Sequence, residues 1–432
     1  MVVRERRASA LAAAALFAAT VAQGPAGGFV YDAARYFNGS LALFTGQSTV
    51  REGDLDFRGV LTTVVYAPAA LAEHLAPGAG RYAVLASNAL LVAVVGAVLL
   101  PALAAALRGR GEPGGPVVTA GPVGVWVCAA LTWLVAARFA PFPLMDLPAA
   151  AGFLTAGWLA LRDRTWWTLP AAGVAAGVTL NLRPAYLLPL VALGALVAVT
   201  RRWPATWFAA GVVAGSLPQV AVNLARGLPP GLTPPGTAGL VGFQAGYASY
   251  VVRYDTVTSG GPPQQFYCDP SMAAAVAGHP VDSTGGLVRA LLGNLPSSAL
   301  FLVEKVAAAL AWSVPTPYSV PATAEHFELA IPIVLIVVVG VGAACRTPGA
   351  RALAVLAAGV CASLMTSATE TRFALPLVLL GVAGCALLRR PPPLMAVVLV
   401  VVAAVLLAAA AAGVAHPLPP GPATPAACAA NG

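Results

Sequence analysis

Charged residues are scarce in this chain of 432 residues, of which only 9% are Asp, Glu, Lys or Arg while 59% are hydrophobic. A soluble globular protein carries about 25% charged residues, so the composition excludes an ordinary soluble enzyme. Apolar runs of about 20 residues are the length that an α-helix needs to cross a membrane. A backbone in lipid must satisfy its own hydrogen bonds, and runs of this length predict helices rather than a barrel. We expect an all-α polytopic membrane protein.

Lysine is almost absent, since Lys305 is the only lysine among 24 basic residues. With 44 glycines and 38 prolines, this usage is typical of a GC-rich genome such as that of an actinobacterium. The net charge of +8 does not indicate a nucleic-acid partner. The arginines gather instead on short loops of one side, which is the positive-inside pattern of membrane proteins.

The familiar nucleotide and metalloprotease motifs are also missing. The chain has no Walker A loop, GxGxxG turn, HExxH, GxSxG or EF-hand pattern, and its four histidines lack metal-ligand spacing. ATP-driven transport and zinc proteolysis are therefore unsupported. The six cysteines include no CxxC pair. Cys268 and Cys428 lie in polar segments; they can form a disulfide if both face an oxidising compartment, and otherwise stay free.

About eleven apolar runs are candidates for transmembrane helices. They lie at about 8–30, 83–107, 117–137, 146–161, 168–181, 184–200, 205–223, 328–345, 350–366, 373–388 and 394–415. With the N-terminus inside, thirteen arginines and three acids fall on inside loops, against eleven basic and thirteen acidic residues outside. This bias predicts a multi-pass plasma-membrane protein with a cytoplasmic N-terminus. Arg4, Arg6 and Arg7 before the first run also fit a cleaved signal peptide; an uncleaved span is the preferred interpretation.

Residues 286–314 are apolar but contain Arg289, Glu304 and Lys305. A span here would invert every later loop, so we expect an amphipathic interfacial helix, with a span as the alternative. The chain then divides into an N-terminal transmembrane module with a catalytic first outer loop, a long outer loop with the interfacial helix, and a C-terminal transmembrane module with an outer tail. These parts are 1–223 with its loop at 31–82, 224–327, and 328–432.

Three carboxylates, Asp32, Asp146 and Glu370, stand at predicted helix ends on the same outer side. A charge at such a position is costly unless it is solvated, paired or used. Each has an ordinary explanation. Asp32 can pair with Arg35 on its own helix face, Asp146 suits the positive end of a helix dipole, and Glu370 can pair with Arg372. Their common side of the membrane favours an active site instead.

The arrangement of these motifs resembles that of the GT-C membrane glycosyltransferases, which include polyprenyl-phosphate-sugar-dependent mannosyl- and arabinosyltransferases and protein O-mannosyltransferases. Four motifs carry the resemblance: Asp32 to Tyr36 as D-x-x-x-Y, Val65-Tyr66-Ala67-Pro68 before the second span, Asp146 opening the fourth, and Glu370, Arg372, Phe373 and Pro376 as E-x-R-F-x-x-P. Looser similarities are Asn181-Leu182-Arg183-Pro184 and Leu217-Pro218 with Asn223. One departure is Ala33, where many relatives carry a second acid, whose role then passes to Asp56 or is missing.

The resemblance implies a GT-C-like fold, with outer-face loops and interfacial helices, and an inverting transfer outside the cell. A sugar would move from a polyprenyl-phosphate donor to a hydroxyl of a glycan, lipid, peptide or protein. Asp32 would be the base, with a pKa that burial should raise, and Asp146 a second catalytic acid able to hold a divalent cation, Mg²⁺ or Mn²⁺. The expected donor-phosphate ligands are Arg372, Arg183, Arg58 and Lys305, and the expected substrate contacts are Tyr36, Asp56 and Glu370.

Two other classes of function fit the same composition. A transporter or lipid flippase would put ionisable groups on broken helices, and Pro184 predicts a break at Arg183. A lipid-linked glycan polymerase or ligase would also combine many spans with one large outer loop. It would differ in taking an oligosaccharide from a lipid pyrophosphate.

Overall fold

The computed structural model describes residues 2–45, 58–109, 120–162, 166–255, 265–311, 330–344, 349–367, 369–387, 393–415 and 424–430. Within these ranges the chain is mostly helical, as the sequence predicts. The all-α prediction misses one feature there, a two-stranded antiparallel sheet.

The first half of the chain is built from helices alone in its described parts. In order they are α1 (Val2–Val21), α2 (Tyr31–Thr45), α3 (Leu61–Val65), α4 (Ala67–Leu75), α5 (Ala79–Val94), α6 (Leu100–Arg108), α7 (Gly121–Ala136), α8 (Asp146–Leu161), α9 (Thr168–Leu182), α10 (Leu187–Arg201) and α11 (Ala205–Ala225). A π-helical turn at Val95–Leu99 joins α5 to α6, and 3-10 turns occupy Ala137–Phe139 and Pro184–Tyr186.

The second half begins with the segment that contains the sheet. Its elements are α12 (Thr237–Ala248), β1 (Val251–Asp255), β2 (Gln265–Cys268), α13 (Pro270–Val276), α14 (Thr284–Gly293), α15 (Leu295–Leu310), α16 (Ala330–Ala344), α17 (Ala350–Met365), α18 (Leu375–Cys385), α19 (Pro393–Ala415) and α20 (Pro425–Ala430). A 3-10 turn at Thr371–Ala374 leads into α18.

Each of the eleven apolar runs contains a helix, although α1 ends at Val21 and leaves the last third of its predicted run non-helical. Four helical stretches among the described residues are long and apolar enough to cross a membrane: Ala79–Arg108, Gly121–Phe139, Pro184–Arg201 and Ala205–Ala225. The other apolar helices, such as α8 and α9, are shorter. These helices are consistent with a membrane protein, and the count of eleven spans stays a prediction.

The interfacial position of residues 286–314 stays a prediction, but the single helix expected in this segment is wrong. Its described part belongs to two helices, α14 and α15, which are bent by 118° at Asn294. Asn294 has non-helical backbone angles, with φ −132° and ψ 47°. Pro296 stands in the first turn of α15, where proline is tolerated because its missing N–H would have no partner within the helix. Together the pair is apolar enough to form one broken span or a re-entrant loop.

Glycines bring α9 and α11 into close parallel contact. Gly173 and Gly177 on α9 face Gly211 and Gly215 on α11, and a Cβ added at Gly173 would lie 2.1 Å from the carbonyl oxygen of Phe208. Any larger residue would force the helices apart. This is the packing that small residues four apart give to membrane helices.

The segment around the sheet has its own apolar core. Val251 on β1, Met272 on α13 and Phe301 on α15 pack together and are fully buried, and Cys428 from α20 joins them. Cys428 forms a disulfide with Cys268 at the end of β2, which decides the alternative that the sequence left open. The bond holds the end of the chain against the sheet.

Candidate functional site

Asp32 lies in the first turn of α2, where its carboxylate meets two arginines from distant parts of the chain. Nη2 of Arg58 donates to Oδ1 at 2.7 Å, and Nη2 of Arg372 donates to Oδ2 at 2.9 Å. The expected local pair with Arg35 is therefore wrong. Tyr31, just before it, has a φ of 49°, a strained value for a non-glycine residue that is typical of functional sites. The Asp32 side chain remains 26% exposed and is within reach of a ligand.

Arg372 contacts all three acids that the sequence singled out. Besides Asp32, it donates to Glu370 from Nε at 2.6 Å and from Nη2 at 3.2 Å. Its Nη1 lies 3.6 Å from Oδ2 of Asp146. The expected pair of Glu370 with Arg372 is thus present, but it is one part of a larger cluster. We call Asp32, Asp146, Glu370, Arg58, Arg183 and Arg372 the charge cluster.

Asp146 is the most deeply buried member of the charge cluster, with 2% of its side chain exposed. It opens α8 and accepts a hydrogen bond from Nη1 of Arg183. The loop before it is held by Tyr66, whose hydroxyl donates to the carbonyl of Leu144 at 2.8 Å. Asn88 binds the same loop through two carbonyl oxygens. Buried hydrogen bonds of this kind fix the position of the carboxylate.

Arg183 stands at the break between α9 and α10 that Pro184 was predicted to cause, and this prediction is confirmed. Its backbone is extended, as expected before proline. The guanidinium lies 4.4 Å from the centre of the Phe373 ring, and that of Arg372 lies 5.2 Å from the same ring. Phe373 therefore lies close to two guanidinium groups, and its ring attracts these cations.

The charges of the cluster set the pKa of its most accessible acid. Burial by itself raises the pKa of Asp32, but the charges of Arg372 and Arg58, with the hydrogen bond from Arg372, outweigh it and lower the pKa from 3.8 to about 2. The sequence-based expectation that burial would raise this pKa is wrong. Arginines counter the cost of desolvation, so Asp32 is ionised at neutral pH and a weak base.

Two tyrosines adjoin the acids. Tyr36 lies one turn after Asp32 on α2, and the guanidinium of Arg58 stacks 5.1 Å from the centre of its ring. Tyr254, on β1, was not found by sequence reasoning. Its backbone N–H donates to the carbonyl of Thr369 at 2.7 Å, and burial with the charges of Glu370 and Asp32 raises its pKa to about 12. No local motif marks a strand tyrosine as a neighbour of residue 370.

Two other predicted site residues are not part of the charge cluster. Lys305 is fully buried on α15, where Nζ donates to the carbonyl of Ala248 at 3.3 Å and lies 5.3 Å from the centre of the Phe301 ring. Its burial contradicts the alternative of reaching the membrane surface, and its expected role at the donor phosphate stays a prediction. Asp56 lies outside the described residues.

A small pocket adjoins the charge cluster. Its charged wall is formed by Asp146, Arg183 and Arg372, and the rest is lined by Ala185, Tyr186, Pro189, Val360, Ser363, Phe373 and Pro376. Its volume of about 20 Å³ has room for about one water molecule. A larger ligand needs the surrounding ion pairs to separate.

The residues near Asp146 do not suit the divalent cation that the sequence left open there. Its two carboxylate oxygens point to the guanidinium groups of Arg183 and Arg372. A metal ion bound to these oxygens would be repelled by the two positive charges next to it. The described ranges hold no group of three or more His, Cys, Asp or Glu side chains arranged to bind a metal ion. The cluster can instead bind an anion, or move a proton at Asp32.

Comparison of the chain with protein-family models, with curated proteins and with solved structures finds no match. The resemblance to the GT-C glycosyltransferases therefore depends on the short motifs of the sequence. The charge cluster is the feature of the described residues that gathers those motifs, since it contains residues from the first, third and fourth of them.

Proposed function

We propose that this protein is an integral membrane glycosyltransferase that moves a sugar from a polyprenyl-phosphate donor to an acceptor hydroxyl, with inversion. The observation that carries the proposal is Arg372, whose guanidinium contacts Asp32, Asp146 and Glu370 at once. One cation shared by three carboxylates suits a site where a phosphate and a proton acceptor must lie side by side.

The proposal includes the position of the site in the membrane. The positive-inside bias puts the ends of α8 and α9 that carry Asp146 and Arg183 on the outer side. The disulfide between Cys268 and Cys428 supports the same orientation for the chain's last segment, because disulfides persist in oxidising compartments. A donor carried on lipid suits an outer face, which lacks nucleotide sugars.

The proposed reaction is a single displacement. The acceptor oxygen attacks the anomeric carbon and forms the new C–O bond while the bond from that carbon to the donor phosphate breaks. The electron pair of the broken bond stays on the polyprenyl phosphate. The proton of the acceptor hydroxyl passes to Asp32, which is the base, and general base action contributes about 10²–10⁴-fold. Arginines stabilise the charge that grows on the leaving phosphate.

The low pKa of Asp32 requires that donor binding changes its surroundings. A carboxylate with a pKa of about 2 is a poor base, because a base works best near the operating pH. The incoming phosphate competes with Asp32 for Arg58 and Arg372. As they turn to the phosphate, Asp32 loses the charges that lowered its pKa and becomes a better base. Donor binding thereby activates the base and also enlarges the small pocket.

The proposal is tested by incubating the purified, reconstituted protein with a panel of polyprenyl-phosphate sugars and a mixture of acceptors. We expect release of polyprenyl phosphate from at least one donor, with transfer or slow hydrolysis of the sugar, and loss of that release in Asp32→Asn. Movement of a labelled lipid or solute across the vesicle without any covalent product would contradict the proposal and favour a transporter. Reaction only with lipid-pyrophosphate oligosaccharides would favour a polymerase or ligase.

A further inference from the structure

Three buried amide side chains form a continuous hydrogen-bonded row next to the charge cluster. Nδ2 of Asn181 donates to Oε1 of Gln219 at 3.1 Å, and Nε2 of Gln219 donates to Oδ1 of Asn223 at 2.8 Å. All three are at most 1% exposed. We call Asn181, Gln219 and Asn223 the amide ladder. Buried amides of this kind are costly unless each finds partners.

The glycines of α9 and α11 determine which side chains of the amide ladder meet. Asn181 stands four residues after Gly177 on α9, and Gln219 stands four residues after Gly215 on α11. Residues four apart lie on the same helix face, so the face that packs through glycine continues into the amides. Close contact of the glycine carbons thus brings the two amide side chains within hydrogen-bonding distance.

One end of the amide ladder binds the backbone next to Arg58. The N–H of Val60 donates to Oε1 of Gln219 at 3.0 Å, and the N–H of Leu61 donates to Oδ1 of Asn181 at 2.9 Å. Gly59 packs so tightly that an added Cβ would lie 1.9 Å from the carbonyl oxygen of Asn181. Residues 59–61 are therefore held in one position against α9 and α11.

The other end binds a loop of the segment after α11. Nδ2 of Asn223 donates to the carbonyls of Gly231 at 3.1 Å and Thr233 at 3.2 Å. The amide ladder thus joins residues 231–233 to residues 59–61 through side chains that carry no charge.

We infer that Asn181 and Gln219 are positioning residues that hold Arg58 against Asp32. Asn223 links these two residues to the 231–233 loop. Arg58 supplies one of the two hydrogen bonds that the Asp32 carboxylate accepts from described residues. Without a fixed backbone at 59–61, its long side chain would spend less time there, since an arginine loses considerable rotamer freedom when it is ordered. The anchoring of Arg58 stands by itself; its consequence for catalysis rests on the proposed function.

A purely structural role is the competing explanation, because buried amides also join membrane helices to one another. The two explanations differ in what happens at Asp32. Its surroundings hold Arg58, Arg372 and Arg183 as cations and Tyr36 and Tyr254 as neutral tyrosines. If Arg58 withdraws, the pKa of Asp32 rises from about 2 towards the ordinary value of 3.8. A structural role alone leaves that pKa unchanged.

The first test is independent of activity. Arginine modification by phenylglyoxal, followed by peptide mass spectrometry, measures how often Arg58 leaves its partner. We expect Gln219→Met to raise the modification rate of Arg58 at least about threefold, with Arg183 as the internal reference. Ser216→Ala is the matched control, since Ser216 is buried on the same helix and its hydroxyl has no hydrogen-bond partner among the described residues. An unchanged Arg58 rate in folded Gln219→Met overturns the inference.

The second test uses the pH dependence of turnover. We expect kcat/KM of the wild type and Ser216→Ala to stay nearly flat down to about pH 3.5, and that of Gln219→Met to fall between about pH 4.5 and 3.5 as the pKa of Asp32 rises. A wild-type profile in Gln219→Met overturns the positioning role. If the wild type transfers no sugar, the proposed function fails, while the Arg58 modification rate still decides the anchoring.

Discussion

The charge cluster and the amide ladder lie side by side and solve the problem of burying polar groups in two ways. The charge cluster uses six ionisable side chains, and its contacts join residues as far apart in sequence as Asp32 and Arg372. The amide ladder uses three neutral side chains on two helices, and those bind each other and backbone groups. The arginines of the charge cluster can leave a carboxylate for an incoming anion, whereas the amide ladder contains no ion pair with which an anion could compete.

This difference assigns the chemistry to the charge cluster and the structural support to the amide ladder. An ion pair is open to competition, because a phosphate offers a guanidinium the same geometry as a carboxylate. Hydrogen-bonded amides keep their partners whatever charge enters nearby. We expect substitutions in the charge cluster to change chemistry and anion affinity, and substitutions in the amide ladder to change only how well Arg58 is held.

The largest effect should come from Asp32. Asp32→Asn keeps the size of the side chain but removes the base, so turnover should fall by about 10²–10⁴-fold. The measurement is release of polyprenyl phosphate under saturating donor. The protein should still fold, and its thermal midpoint should fall less than in a variant of Arg372, because Asp32 is 26% exposed and Arg372 keeps its pair with Glu370. Near-normal turnover would remove Asp32 from the mechanism.

Arg372→Gln should be the most destabilising change in the cluster. It leaves three carboxylates with one cation fewer between them, and breaking a buried ion pair by removing one partner costs about 3–5 kcal/mol. The thermal midpoint should therefore fall along with donor affinity. Glu370→Gln in the same chain should restore part of the stability but not the affinity. Recovery of both by the double variant would mean that Arg372 only neutralises Glu370.

The pH dependence should differ between free enzyme and donor complex. In the free protein the pKa of Asp32 is about 2, so the carboxylate is ionised at every pH well above that value. With donor bound, Arg58 and Arg372 have turned to the phosphate and the pKa is higher. The acid limb of kcat, which reports the complex, should then lie at higher pH than that of kcat/KM, which reports the free enzyme. If the acid limbs of kcat and kcat/KM coincide, donor binding does not raise the pKa of Asp32.

The smallest effect should come from Lys305. Its ammonium contacts one carbonyl and one ring away from the charge cluster, so Lys305→Met replaces a buried cation by an apolar chain of similar length. Replacing buried charge by packed apolar residues is often neutral or stabilising. Turnover should be unchanged and the thermal midpoint equal or higher. A loss of donor affinity would restore Lys305 to the phosphate site.

The sequence identifies the members of the charge cluster well and their electrostatics poorly. Asp32, Asp146, Glu370 and the three arginines are recognisable because a charge at a helix end is unusual in so apolar a chain. Their roles stay predictions. The direction of the pKa shift of Asp32 could not be foreseen, since it depends on how many guanidinium groups arrive from residues 26 and 340 positions away. Local patterns do not carry that information.

Other features missed by the sequence have similar causes. Tyr254 lies near Glu370 because its backbone N–H, on β1, donates to the carbonyl of Thr369. A backbone contact between residues so far apart in sequence does not change the hydropathy pattern of either segment. The bend at Asn294 falls in a run that is apolar enough overall to form one span, so hydropathy alone does not locate it. The amide ladder, in contrast, has a readable signal, because glycines four apart on α9 and α11 are followed at the same spacing by Asn181 and Gln219.

The most direct test of the account is donor-phosphate affinity in three proteins, measured with farnesyl phosphate as the probe. If phosphate and Asp32 compete for Arg58 and Arg372, Asp32→Asn should bind the probe more tightly than the wild type although it cannot turn over. A charge-assisted hydrogen bond of about 1.5–3 kcal/mol corresponds to about tenfold or more. Arg372→Gln should bind it more weakly. Equal or weaker binding by folded Asp32→Asn would contradict the competition from which the proposed mechanism follows.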